Sequence, residues 1–338
     1  MSASLAVLLP VFLLGVVALL CFVGCGFQGH GTLLPFTKYS DTTVLADPAV
    51  VAYWPLGETS DSLPAADRTS PAHNGQYRDT TTLPAIYPWP AFSVPSGPGT
   101  TVESAAAPGA IAFAQPGIVA GDTVQPADDP KTPCVVVNGC YVEVPFDPKF
   151  NPTTSFTVEA WVRVDWDASA PHAWRFVLDS RDFSPCTGFG ILAKADDGMP
   201  GVYHWQAIIG NGGSGAAGFT FATSDAPPIS LKDSSLPAGI TYHIAVTYDG
   251  PSQTLILFVD GEQRGPKITP AVYIANTTKP LWIGAGAPYV PLRPQPPGVV
   301  AGPLFPFFGA IQDVAIYNAA LASDVILLHF HNGNGSGS

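Results

Sequence analysis

The stretch YVEVPFDPKFNPTTSFTVEAWVRVD, residues 141–165, decides the fold. Its second half, from Phe156 to Val164, alternates apolar and polar side chains, the period of a strand with one buried face. Its first half opens on a shorter strand, Tyr141–Val144, closed off by Pro145. Working outward, the same signature returns at Tyr242–Tyr248, and the strand Thr254–Val259 then leads into the turn Asp260-Gly261. Further short strands are expected at 50–56, 135–137, 174–178, 189–192, 203–209, 281–284 and 311–317. One short helix is expected over 319–330, with Leu321, Val325 and Leu328 on one face. Strands every 8–15 residues, with turn signals between them and no βαβ alternation, describe an antiparallel sandwich. Trp161, Val158, Ile244 and Val246 are expected on its inward faces.

Composition agrees. Of 338 residues, 34 are Gly and 36 are Pro, which excludes a mostly helical chain. Yet 46% are hydrophobic, including 19 Phe, 11 Tyr and 7 Trp, enough to build a core and exclude disorder. Only 12% are charged and the net charge is −12, so there is no basic face for nucleic acid.

The N-terminus is a different substance. Leu5 to Phe27 holds no charged residue, and none precedes Lys38. As a helix it would span roughly 34 Å, enough for a bilayer core. An uncleaved membrane anchor over 1–27 is therefore expected, followed by a polar tether over 28–46. A lipoprotein cut before Cys25 and an ordinary signal peptide are the alternatives. The domain would then run over 47–333 with a short tail at 334–338. Five cysteines are present. Cys21 and Cys25 lie in the apolar segment. Of the other three, Cys134 and Cys140 are the nearest pair and the favoured disulfide. The Asn138-Gly139 hairpin signal between them opposes that bond, and Cys186 is an alternative partner for either.

Five segments taken together resemble the LamG-like jelly roll of the concanavalin A-like lectin/glucanase superfamily: VAYWPLGE (51–58), residues 141–165, YHIAVTYDGPSQTLILFVDGE (242–262), LWIGAG (281–286) and FFGAIQDVAIYNAAL (307–321). The resemblance implies an all-β fold of two antiparallel sheets packed face to face. It also implies a domain outside the cytoplasm, on the periplasmic or extracellular side. Two regions depart from the family, an insertion at about 80–130 and an enlarged loop at 287–306. Both are rich in Pro, apolar and almost uncharged.

The resemblance suggests one cofactor, Ca²⁺, held by Glu58, Asp67, the Asn74-Gly75 turn and Asp313, since hard oxygen ligands suit that ion. Glycosidases of the superfamily carry two Glu flanking an Asp on one strand. Here the five Glu residues, 58, 103, 143, 159 and 262, form no such motif, and Glu143 and Glu159 fall at outward strand positions. His329-Phe330-His331 are spaced i, i+2 and share no helix face, so they read as structural. Asn276 and Asn334 begin glycosylation sequons.

These features point to a non-catalytic, membrane-anchored subunit that docks on a larger membrane complex. The 287–306 loop is the expected contact, through Tyr289, Leu292, Arg293, Leu304 and Phe305. A surface carbohydrate-binding or adhesion module is the alternative, with Trp89 and Tyr289 as platforms for a glycan. A glycoside hydrolase is a third reading.

Overall fold

A computed structural model describes residues 39–56, 58, 63–79, 111–113, 140–164, 174–195, 202–225, 229–230, 240–286, 307 and 309–333. It holds two antiparallel sheets, with strands numbered along the chain. The first sheet runs in the order β1 (Val50–Trp54), β17 (Gly309–Tyr317), β5 (Phe156–Val164), β13 (Ile240–Asp249), β14 (Thr254–Val259) and β15 (Glu262–Gln263), with β3 (Ile111–Phe113) beside β17. The second runs β11 (Phe219–Thr223), β10 (Val202–Gly210), β9 (Phe189–Ala195), β6 (Trp174–Asp179), β16 (Leu281–Ile283), β4 (Cys140–Val144) and β2 (Gln76–Asp79), with β12 (Ile229–Ser230) beside β10. A two-stranded ribbon, β7 (Asp182–Phe183) with β8 (Cys186–Thr187), folds between β6 and β9. The sandwich read from the sequence is thus present, as are most of its strands. The 5–27 segment and the tail lie outside the described residues. Among those described, no helix is long and apolar enough to cross a membrane.

The main core forms where the inward faces meet: Phe156, Val158, Ala160 and Val162 of β5 with Ile244, Val246 and Tyr248 of β13, against Ile191, Ala193, Tyr203, Trp205, Leu281 and Ile283 of the other sheet. Trp161 is buried but not here. A strand has a period of two, so Trp161 shares a face with Thr157 and Glu159, opposite Val158. It lies in a second apolar cluster on the outer side of the first sheet, with Tyr39, Val44, Tyr53, Ala315 and Tyr317. β17 reaches both clusters through a bulge. The register shifts between Gln312 and Ala315, with Asp313 at φ 52°, so that Val314 and Ile316 still point inward.

Two elements cover that outer face. The first is the single turn Ser40–Val44, in a region expected to be tether; Tyr39 and Val44 are buried there, so the packed domain begins at least eight residues before 47. The second is helix α1 (Ser323–Gly333). It starts four residues later than expected because the chain before it is pinned to the sheet. The Thr157 hydroxyl donates to the Ala319 carbonyl (2.7 Å) and accepts the Leu321 N–H (2.8 Å). The buried face of α1 is Ile326, His329 and Gly333, whereas Leu328 is 53% exposed. Gly333 is required where it sits, since a Cβ there would lie 2.2 Å from the Trp161 ring.

The two ends of the sandwich differ. At one end, β5 finishes beside the starts of β13 and β17 (Val164↔Ile240, Val164↔Gly309). At this end β9 also finishes beside the start of β10, and β2 beside the start of β4. The connections spanning 80–139, 165–173, 196–201, 231–239 and 287–306 all leave from strand ends there. The opposite end carries the connections 145–155 and 264–280 and the hydrogen-bonded turns 211–218 and 250–253.

Candidate functional site

The residues expected to bind calcium are brought near one another but are already engaged. Asp67, in the loop from β1 to β2, is buried. Its Oδ1 accepts the N–H groups of Tyr53 (3.0 Å) and Thr69 (2.9 Å). Its Oδ2 accepts the Thr69 hydroxyl (3.0 Å), the His73 N–H (2.8 Å) and the His73 ring Nδ1–H (3.2 Å). Asn74 Oδ1 accepts the Asp67 N–H (3.0 Å), and Gly75 lets this turn press on β4, where a Cβ would lie 2.4 Å from Val142. Glu58 accepts the Ala66 N–H (2.8 Å) and the Tyr77 hydroxyl (2.6 Å). Asp313 accepts the Tyr53 hydroxyl and the Gln312 amide.

Five donors on Asp67 leave this central carboxylate no lone pair to turn to a cation that wants six to eight oxygens. No group of three His, Cys, Asp or Glu among the described residues could hold a metal. The set does not fit Ca²⁺; it stitches the β1–β2 loop to the sandwich. Excess Ca²⁺ over chelator should therefore leave the thermal midpoint unchanged, and a rise of several degrees would restore the calcium reading.

A second polar cluster lies on the outer face of the first sheet. Glu159 does project outward from β5, as its position predicts, but it is fully buried beneath α1 and Tyr39. Four side chains from four segments converge on it. The Tyr39 hydroxyl donates to Oε1 at 3.1 Å and that of Tyr317 at 2.6 Å. His243 Nε2–H donates to Oε2 at 3.3 Å. His329 Nδ1–H lies 3.1 and 3.0 Å from the two oxygens.

Burial by itself pushes the Glu159 carboxyl up. The His329 charge, then the bonds from His243 and His329, reverse this and hold it well below the usual carboxylate range. Burial likewise opposes protonation of His329, yet the Glu159 charge and hydrogen bond outweigh it and raise the imidazole. Asp313, on the adjacent bulge, is pushed up to about 7, mainly by burial. Sequence reasoning placed Glu159 at the surface and missed its partners. The available signal was Trp161: two positions from Glu159 it shares that face, and a Trp needs cover.

The third polar feature also went unread in the sequence. Arg181 grips Asp179 through two parallel bonds, Nε–H to Oδ1 at 2.7 Å and Nη2–H to Oδ2 at 2.8 Å, with both side chains fully buried. Its guanidinium lies 4.6, 4.9 and 5.2 Å from the ring centres of Phe176, Phe183 and Phe219. Cys186 beside it is a buried free thiol whose pKa is raised by burial. Cys134 and the expected hairpin lie outside the described residues, and Cys140 opens β4 opposite Asp79. Asn276 of the first sequon is buried, its Oδ1 accepting the N–H groups of Thr278 (3.0 Å) and Lys279 (2.8 Å), so it is not an accessible acceptor.

Tyr289, Leu292, Arg293, Leu304 and Phe305, like Trp89, lie outside the described residues. The flanks of the 287–306 loop are fixed. Gly286 packs against the Phe176 ring, and Phe307, buried in the core, donates its N–H to the Gly284 carbonyl at 2.9 Å.

Two facing antiparallel sheets of this order define a lectin-like jelly roll. Residues 138–327 match a laminin G family model of the concanavalin A-like lectin/glucanases superfamily, and the chain belongs to that superfamily. No curated protein sequence matches it. Among solved structures, it resembles the binding domain of botulinum neurotoxin serotype D/C VPI 5993 at 10% identity and a TM-score of 0.45, over 84% of this chain and 52% of that one. It also resembles the binding domain of Paraclostridial Mosquitocidal Protein 1 at 15% identity and a TM-score of 0.38, over 56% of this chain and 40% of that one. The chain spans about half the length of the first of these and less of the second. At such identities the likeness is one of fold alone.

Proposed function

We propose that this chain is a non-catalytic interaction module, held at the extracytoplasmic face of a membrane by its N-terminal apolar segment. On this reading it engages a membrane-protein partner through one end of its sandwich. The observation that carries the reading is the strand register. The connections 80–139 and 287–306, which hold both Pro-rich departures from the family, leave from the same end of the sandwich. Rigid sandwiches with loops gathered at one end are suited to recognition. The 287–306 loop belongs to this end, and its flanks are fixed in the core, so a partner bound there would be held firmly on the domain. The buried carboxylates support the non-catalytic part. Asp67, Asp179, Glu159 and Asp313 are each engaged by donors of the fold.

A photo-reactive side chain placed at Lys194, near the loop-bearing end, should cross-link a second protein in native membranes. The same probe at Gln253, in a turn of the opposite end, should not. Equal cross-linking from both positions, or none from either, would reject docking through this end. Specific micromolar recognition of a sugar by the full chain on a glycan array would instead favour the carbohydrate-binding reading.

A further inference from the structure

Glu159 is more than one buried carboxylate among several. It is the point at which both ends of the described domain are tied to the sheet. Tyr39 comes from the N-terminal segment and His329 from the C-terminal helix; Tyr317 and His243 come from the two strands flanking β5. A second bond joins the two covering elements directly, from the Asn332 amide to the Thr43 hydroxyl at 2.9 Å. Tyr39 also packs edge-on against the His329 ring, with centroids 6.4 Å apart.

An anion withdrawn this far from water needs a compensating positive charge, because neutral donors alone do not offset its lost hydration. Among the described residues two imidazoles touch it, those of His243 and His329. His329 faces both carboxylate oxygens and is carried by the helix, the element free to leave.

We propose that a proton on His329 closes a clasp, in which the Glu159 carboxylate holds helix α1 and segment 39–45 against the sheet, and that loss of this proton loosens both. This goes beyond the docking role and does not depend on it.

The sign follows from the pairing. Closure raises the affinity of His329 for its proton. Its contribution is therefore complete below the ordinary imidazole value of about 6.5 and is lost as pH rises through the raised value. Glu159 sets the other limit. Its contribution is present above the ordinary carboxylate value of about 4.3 and is lost as pH falls below it.

The remaining titratable groups around the site are Tyr39 and Asp47 on the N-terminal side, Tyr53 on β1, Asp313 and Tyr317 on β17, and His243 on β13. Tyr39 and Tyr317 are raised by burial and by Glu159, so they stay protonated donors throughout this range. Asp313 acts in the same direction as His329. Its burial favours the protonated form, and that preference is used up above about pH 7. Separating the two requires a variant.

Hydrogen exchange of the full chain, corrected for intrinsic rates, should show α1 and segment 39–45 losing about tenfold of their protection, relative to β9 and β10, between about pH 6 and pH 9. In His329→Gln their protection should be low at both values and nearly independent of pH. His331→Gln, two residues on and off the face that meets Glu159, should behave as wild type. Should the helix keep the same protection ratio across the range, the clasp is wrong. Because His329→Gln could unfold more than the helix, a second measurement uses the unaltered chain. The His329 imidazole, followed by NMR, should titrate above about 6.5, and a value at or below that would overturn the proposal.

Discussion

Asp179→Ala should be among the most damaging single changes in this protein, lowering unfolding stability by about 3–5 kcal/mol in a urea titration. The Asp179–Arg181 pair is fully buried and bidentate. Removing the carboxylate leaves a guanidinium with no counter-ion in a box of three phenylalanine rings, where it cannot recover its water. Most of the cost is this stranded charge rather than the worth of the pair. The double variant Asp179→Ala/Arg181→Met should therefore recover a large part of the loss, since a flexible apolar chain can fill the same box. A single variant within about 1 kcal/mol of wild type would mean that the pair is open to water.

Trp161→Ala is expected to cost a similar 3–5 kcal/mol, with the damage confined to one layer. Trp161 stacks on Phe330 of the helix with centroids 5.9 Å apart, and meets Tyr39 at 6.2 Å and His243 at 5.0 Å. These contacts all lie outside the inter-sheet core. Loss of the ring should strip exchange protection from α1 and segment 39–45 first, while β9 and β10 in the opposite sheet keep theirs. Uniform loss across both sheets would place Trp161 between them. Because Trp161 and Glu159 support the same two elements, their substitutions should not be additive.

The two-sheet architecture was legible because a strand writes its period into the chain. Phe156–Val164 forms a strand with the bounds its alternation predicts, and Thr254–Val259 forms the strand that its apolar run before the Asp260-Gly261 turn predicts. Where alternation is weak, reading failed. β2 is Gln-Tyr-Arg-Asp on a sheet edge, and β3 is three residues within a stretch rich in Pro, Ala and Gly. The assignment of Trp161 beside Val158 was an error of parity that the same alternation forbids. The expected calcium set shows where reading along the chain stops. Its residues do gather, but spacing along a chain does not reveal that five donors already surround Asp67.

By itself, then, the sequence determined which segments become strands, which faces are apolar, that the sheets are antiparallel, and that an uncharged N-terminal stretch precedes the domain. These are local properties, set by side-chain period, turn chemistry and composition over a few residues. Only the tertiary structure decided which outward face would be roofed over. Glu159 and Glu143 look alike along their strands, yet Glu159 is dry and Glu143 is partly exposed. The difference comes from residues 120 and 170 positions away, Tyr39 and His329, which the fold brings over β5. Burial, and with it the charge state of a carboxylate, depends on what covers a site in space, and no local pattern encodes that.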